Sequence, residues 1–409
     1  MYSFQDVVKS HCCMSCGLCF GNAREISRQR GLYIPKEISD NRNFICCPGK
    51  GYDIVRLGAS RETSIQHPDL GCFDSLGAVC AKDSDILKRA SSGGAMTCLA
   101  WYLLCSNQVD GVVTTKLEIR NGCITPVTFV AKTKSELCVA QGSKYMPVPA
   151  LHNLDNLLEE GKQYLFIGTP CQIAGIRMLQ ENKNCWANRI RFTVGNFCGG
   201  FRDLRELSSI LNQLDISSKD ISDFSYRGDG QPGYMTIHLR SGRQVRLGYP
   251  GYAKMTGYPV IRRCKLCVDA TAELADFSCG DAWLPRFLEK HESRSIVITR
   301  SSEATKIVKK MTDEKFWDFE SLTAAEVIES QRTNIFSKKR RQNARRKLFS
   351  CLLQNLPAFD GGFDQGPCNI YLELKVLLSH LFFYYLQIFH LYQPVSRWLK
   401  RNKTRIEWK

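Results

Sequence analysis

What this chain lacks closes off several classes of function. No unbroken run of about 20 apolar residues occurs, so nothing reads as a membrane-crossing helix. No zinc-finger or helix-turn-helix spacing is present, which removes the usual support for a nucleic-acid partner. Without internal repeats or low-complexity runs, the chain reads as ordinary globular sequence rather than as a solenoid or a linker. Met1 to Lys9 is short and polar, without the apolar core of a secretory leader. The expectation is therefore a cytoplasmic chain whose thiols stay reduced.

One residue type is in excess. Twenty cysteines in 409 residues is many, and in a reducing compartment clustered cysteines point to metal or catalysis rather than to disulfides. Cys98, Cys105, Cys123 and Cys138 stand singly in apolar segments and read as small buried hydrophobes. Two sets do not. Near the N-terminus, Cys13-x2-Cys16-x2-Cys19 is followed later by Cys46-Cys47-Pro48. Three thiolates on one tight loop with a fourth before proline is the ligand logic of a [4Fe–4S] cluster. Either Cys46 or Cys47 closes this set, with Pro48 and the Gly49-x-Gly51 turn favouring Cys47, and Cys12 is spare. A structural zinc site or free thiols are the plainer alternatives.

The second set is Cys171, Cys198, Cys264 and Cys267. From Ala90 onward, oily strands alternate with helical patterns, which predicts an α/β domain. Strands are expected at 109–114, 126–131, 164–168, 191–197 and 295–299, and helices at 95–105, 135–140, 151–160, 172–180 and 304–311. Residues 234–239 and 244–247 read as a β-hairpin turning at Ser241-Gly242. Cys171 follows a strand through Thr169-Pro170 into a helix, whose N-terminal field favours thiolate. Cys198 ends the next strand before Gly199-Gly200, and carboxyl ends of parallel strands are where ligands collect. Two core cysteines and a plain dithiol at Cys264-x2-Cys267 are the bland alternative.

With these residues in view, the chain resembles the coenzyme F-420 hydrogenase/dehydrogenase beta-subunit family, which includes flavin- and iron–sulfur-dependent reductases such as 7-hydroxymethyl chlorophyll a reductase. The matching stretches are Ser92-Gly93-Gly94, Val109-Asp110-Gly111-Val112, Gly142-Ser143-Lys144-Tyr145 and Gly168-Thr169-Pro170-Cys171-Gln172. They continue through Phe197-Cys198-Gly199-Gly200, Cys264-x2-Cys267-x-Asp269 and Ala275-Asp276-x3-Gly280-Asp281. The resemblance implies a mixed sheet with flanking helices; the cysteine-rich residues 1–53 read as a small ferredoxin-like module in front of it, and the basic amphipathic, helical tail at 331–409 is a departure from the hydrogenase members. The family's N-terminal domain would span 75–163 with flavin contacts, and its C-terminal domain 164–330 with the second cluster. It also implies FAD beside a [4Fe–4S] cluster, and the two cysteine sets make two such clusters the expectation. Ser92, Gly93 and Gly94 would offer helix N–H groups to a phosphate, or simply mark a helix start. Ser143, Lys144 and Tyr145 would meet the flavin, or be ordinary surface. Asp276 and Asp281 would orient cluster ligands or flavin hydroxyls, or cap local turns.

The expected activity is an oxidoreductase passing electrons between clusters and FAD to an organic substrate, in polysaccharide biosynthesis by analogy with family members. The alternative is an electron-entry subunit exchanging hydride with coenzyme F-420, a deazaflavin, for a larger complex. Ferredoxin or another redox protein is the expected donor, and a homo-oligomer is compatible. From Arg332 onward there are 15 Lys/Arg against 4 Asp/Glu, so most of the net charge of +16 sits in the tail. The apolar, aromatic stretch from Tyr371 to Tyr392, with Arg397-Trp398-Leu399-Lys400-Arg401 beyond it, could lie on the inner face of an anionic membrane. A helix docked on its own body or on a partner subunit fits equally. On the membrane reading the tail is dispensable for cofactors.

Overall fold

Short oily runs bounded by glycine, proline and capping residues become the strands of one large sheet. The computed structural model describes residues 3–388, apart from 22, 24, 36–42, 60–62, 64, 250, 253–259 and 367–368. Its principal elements are β1 (Ser75–Ala81), α1 (Ala95–Cys105), β2 (Gly111–Arg120), β3 (Cys123–Ala131), β4 (Tyr164–Gly168), α2 (Pro170–Glu181) and β5 (Ile190–Asn196). A meander β6 (Ile221–Gly228), β7 (Tyr234–Leu239) and β8 (Gln244–Gly248) follows. Then come β9 (Phe277–Asp281), β10 (Ser295–Thr299), α3 (Ser302–Asp313), β11 (Trp317–Ser321), α4 (Gln342–Leu352) and α5 (Ile370–Ile388).

The main sheet has eight strands in the order β11-β1-β10-β9-β5-β4-β2-β3. The central four, β9, β5, β4 and β2, are parallel, and antiparallel strands complete both sides. Helices cover both faces, so the central strands read as continuous apolar runs rather than as an alternation. Leu165 of β4 packs with the residues of α1 and α3. Its neighbours Tyr164 and Phe166 pack with those of α2.

Several expected boundaries shift. The sheet takes strands from both sides of residue 163, so the two expected family domains share one sheet. None of the expected strands covers β1, because Ser75 to Ala81 carries Ser, Gly and Ala where a strand signal needs bulk. The helix expected at 151–160 shrinks to Leu154–Leu157, entered through Asn153 in the left-handed region at φ 61°. The hairpin turn forms as expected, with Gly242 at φ +84° supplying the conformation its turn requires.

The N-terminal residues build a small core of their own from Phe4, Val7, Phe20, Leu32 and Ile34 around Cys13, Cys19 and Cys47, and they are also joined to the body. Met14, Cys16, Leu18 and Tyr52 pack in one cluster with Ile173, Ala174 and Trp186 of the body. The tail also docks: Phe349 of α4 and Leu377 of α5 close over Leu266, and Ile335 packs with Leu70, Phe73 and Val327.

Candidate functional site

The N-terminal thiols converge. Cys13, Cys16, Cys19 and Cys47 are all buried, and burial first, then their mutual negative charge, pushes Cys16 and Cys19 well above the ordinary thiol range. Cys13 rises to about 12 for the same reasons, burial leading. Cys47 is the member of the Cys46-Cys47 pair that faces the other three. The Cys46 thiol instead accepts a bond from Asn182 Nδ2 at 3.4 Å. Cys12 points elsewhere, its thiol 3.6 Å from the Ser10 carbonyl and 3.7 Å from that of Asn355.

The second set gathers at the carboxyl edge of the parallel strands. β4 and β5 lie side by side with Gly168 opposite Gly195. Each strand delivers one cysteine just past its end, Cys171 in the first turn of α2 and Cys198 beyond Phe197. A capping box formed by Thr169 and Gln172 fixes the start of α2, and Thr169 Oγ1 lies 3.2 Å from Cys171 Sγ. Gly200, at φ +109°, leaves room for the third thiol: a Cβ there would stand 2.9 Å from Cys264 Cβ. Burial pushes Cys171 up to about 11 and Cys264 higher still, with Cys198 adding to both. Burial acts on Cys267 in the same sense, but Lys338 and Arg263 outweigh it and hold that thiol below the usual range.

Arg263 joins the two sets. Its Nε donates to the carbonyl of Pro48, beside Cys47, at 3.0 Å, while its charge faces Cys267 and Cys171. Its Nη2 and the hydroxyl of Tyr52 are buried without a hydrogen-bond partner in the structure. Orphaned donors beside the Cys171 and Cys267 thiols are what a cluster's inorganic sulfides would satisfy. Among the described residues, no three His, Cys, Asp or Glu side chains meet closely enough for a single metal ion. A four-iron cluster is a larger body and spreads its thiolates farther apart than one ion does.

Cys171 and Cys198 also line a cavity of about 530 Å³ at the same sheet edge, within the size range of cofactor pockets. Ser92, Gly94, Ser143, Lys144, Tyr145 and Asp281 line it too, and Met14 reaches it from the N-terminal loop. Gly94, at φ +73°, starts α1 without a side-chain cap, so the helix N-terminus is open toward the cavity. Lys144 directs its ammonium at backbone carbonyls of its own loop, including Gly142 at 2.9 Å, and burial lowers it to about 7.

Two of the expected contacts sit elsewhere. Gly93 is pressed against sheet backbone, where a Cβ would stand 2.1 Å from the Val79 carbonyl oxygen. Its lack of a side chain serves packing. Asp276 lies at the opposite end of β9 from Asp281. It accepts from Arg177 Nη2 at 2.8 Å and from the Thr193 amide and hydroxyl at 2.7 and 2.9 Å. It therefore ties α2 to β5 and β9 and does not face the cavity.

Sequence reasoning missed the cavity's opposite wall. Arg227, Tyr249, Tyr252 and Trp283 line it. Arg227 forms an ion pair with Asp281 at 2.5 Å and stacks over Tyr249 and Trp283, 4.7 and 5.3 Å from their ring centroids. Tyr145 stacks on Tyr249 at 6.4 Å. These residues stand singly in the meander and the loops after it, with no spacing to mark them.

The basic tail is not a free surface. Lys338 and Lys339 are 4 % and 1 % exposed. Lys339 pairs with Glu273, Arg340 with Asp69 at 2.6 Å, and Arg341 and Arg345 with Glu373 at 2.5 and 2.6 Å. The first cations of the tail are thus packed into the body, which is the docked arrangement rather than a membrane-facing one. Among the described residues no helix is long and apolar enough to cross a membrane. Residues 397–401 lie outside the described residues.

Comparison with known proteins places this geometry in a family. Residues 78–155 match the model for the N-terminal part of the coenzyme F420 hydrogenase/dehydrogenase beta subunit, and residues 161–325 match the model for its C-terminal part. The coenzyme F420 hydrogenase subunit beta of Methanococcus voltae is 28 % identical over 233 residues, covering 53 % of this chain and 77 % of that protein. A coenzyme F420-dependent sulfite reductase of Methanocaldococcus jannaschii is 23 % identical over 278 residues, 64 % of this chain but 40 % of the reductase. In fold, a chain of the F420-reducing [NiFe] hydrogenase complex of Methanosarcina barkeri superposes with a TM-score of 0.55 at 22 % identity, over 70 % of this chain and 96 % of that one. The chain belongs to the coenzyme F420 hydrogenase/dehydrogenase beta-subunit family.

Proposed function

We infer that this chain is an electron-entry oxidoreductase subunit that exchanges hydride with a deazaflavin of the F420 type and passes electrons on through two iron–sulfur clusters. The observation that carries this reading is one sheet edge where Cys171 and Cys198 open into an aromatic cavity, with the N-terminal thiols packed behind them. Relatives named for F420 chemistry favour it over a step in polysaccharide assembly, for which no relative described above speaks.

FAD suits the cavity, and Cys13, Cys16, Cys19 and Cys47, with Cys171, Cys198, Cys264 and Cys267, suit two [4Fe–4S] clusters. Together such groups interconvert paired and single electrons. The chain's own residues bind and orient. The open N-terminus of α1 meets negative charge, while the Arg227–Asp281 pair braces the aromatic wall. Tyr145, Tyr249 and Trp283 exclude water from a planar ligand. Lys144 Nζ, titrating near neutrality, can take up or release a proton as charge in the cavity changes.

Anaerobically purified chain tests the reading. We expect bound flavin, iron with acid-labile sulfide, and bleaching of oxidised F420 when the protein is reduced by a dye. A colourless protein with zinc, or reduced protein that transfers electrons to sugar nucleotides but not to F420, would overturn it.

A further inference from the structure

The C-terminal residues that the family models leave out, those after 325, bring a buried cation to the second cysteine set. Phe336–Arg340 forms a single π-helical turn, a rare geometry that is frequent at functional sites. It carries Lys338 inward. Lys338 Nζ donates to the Asp269 carbonyl at 2.8 Å, and the Cys267 thiol lies 3.5 Å from that same oxygen. One acceptor therefore gathers the ammonium and the thiol. Asn334, from the preceding turn, closes on Gly199, where a Cβ would meet its Oδ1 at 3.0 Å.

Among the described residues the first set has no equivalent. The cations that act on Cys47 are Lys50 and the shared Arg263, and Lys50 is half-buried with its ammonium over the Phe44 ring at 4.6 Å. A buried cation favours the more negative, reduced state of a cluster, and does so more strongly where water is excluded.

The geometry points to Lys338 as a positioning residue that raises the reduction potential of the cluster at Cys171, Cys198, Cys264 and Cys267 above that of the N-terminal one. An electron shared between the two clusters then rests beside the cavity. This rests on the two-cluster reading above.

Redox titration of the anaerobic full-length chain, followed by electron paramagnetic resonance and with iron counted, tests it in the wild type, Lys338→Met, Lys338→Gln and Lys338→Arg. In Lys338→Met one of the two midpoints should fall while the other stays. The shift should be at least tenfold in the sharing of one electron, about 59 mV. Lys338→Arg should stay near wild type. If the Met variant loses iron, Lys338→Gln decides, since its amide can still donate to Asp269 without charge. Full iron with unchanged midpoints in the neutral variants overturns the inference and leaves the two-cluster reading intact. Loss of the second cluster from both neutral variants also overturns it, because Lys338 would then serve assembly. A wild-type chain with only about four iron overturns both.

Discussion

Lys144 shows how one side chain can register the charge state of a site. Burial lowers it from 10.5 to about 7, so between those values the unfolded chain binds the proton that the folded chain has lost. Stability contributed by this position therefore rises with pH from about 7 to 10.5, and the cost of burying the charged form applies in full below 7. An anion entering the cavity reverses the shift. At pH 8, binding of a flavin nucleotide should draw a proton from solution, and Lys144→Met should abolish that uptake in calorimetry run in two buffers of different ionisation heat. Asp281 is constrained differently. It pairs with the buried Arg227, so Asp281→Asn should destabilise the protein by about 2 kcal/mol and weaken ligand retention in the cavity. Arg227 also donates to the carbonyls of Pro232 and Ser91, and equal urea midpoints for this variant and the wild type would show that these alone hold it.

At the scale of elements, the Ser91-Ser92-Gly93-Gly94 turn does two jobs with adjacent glycines. Gly94 adopts the left-handed conformation that opens α1, and Gly93 lets the turn lie against β1 and β10. An alanine at 93 would place its Cβ 2.1 Å from Val79 O and 2.6 Å from Ser295 N, both main-chain atoms of the sheet. Neither can move without breaking the sheet's hydrogen bonds. Gly93→Ala should therefore cost about 3 kcal/mol, as overpacking against rigid backbone does, and a chemical-denaturation midpoint would measure it. The π turn at Phe336–Arg340 is the complementary case, where irregular backbone aims Lys338 and Lys339 inward rather than along a helix surface.

For the molecule as a whole, the N-terminal loop, the sheet edge and the tail act as one unit around the two cysteine sets. Arg263 reaches the carbonyl beside Cys47, and Lys339 neutralises the buried Glu273. Removing one partner of such a pair is far costlier than replacing both. Lys339→Ala should therefore lose about 3–5 kcal/mol, and truncation after Ser330 should lose iron as well as stability. A truncated chain with about eight iron and an unchanged melting temperature would return the tail to a peripheral role. Two assembled clusters predict about eight iron and eight sulfides per full chain, and chelation of that iron should lower the cooperativity of unfolding in the N-terminal residues and the sheet edge together.

Local pattern alone determined much of this protein. Oily runs between glycine and proline marked β4, β5, β10 and the β7–β8 hairpin, because a strand buried on both faces needs little beyond bulk and a stop. Spacing marked the cysteines, since a thiol in a tight loop or past a strand end has few structural uses. Tertiary structure decided what no local signal holds. Whether Cys46 or Cys47 faces Cys13, Cys16 and Cys19 depends on the 3-10 turn Asn43–Cys46, which packs against α2. Asp276 and Asp281 look alike in sequence, yet they lie at opposite ends of one short strand, and that alone separates a brace from a cavity wall. Arg227, Tyr249, Tyr252 and Trp283 meet only after the meander folds over the sheet edge. The basic run from Lys338 to Arg345 left a membrane surface and docking on the body equally open because its partners, Asp69, Glu273 and Glu373, lie 28 to 271 residues away along the chain; charge pairing over such separations exists only once the chain has folded.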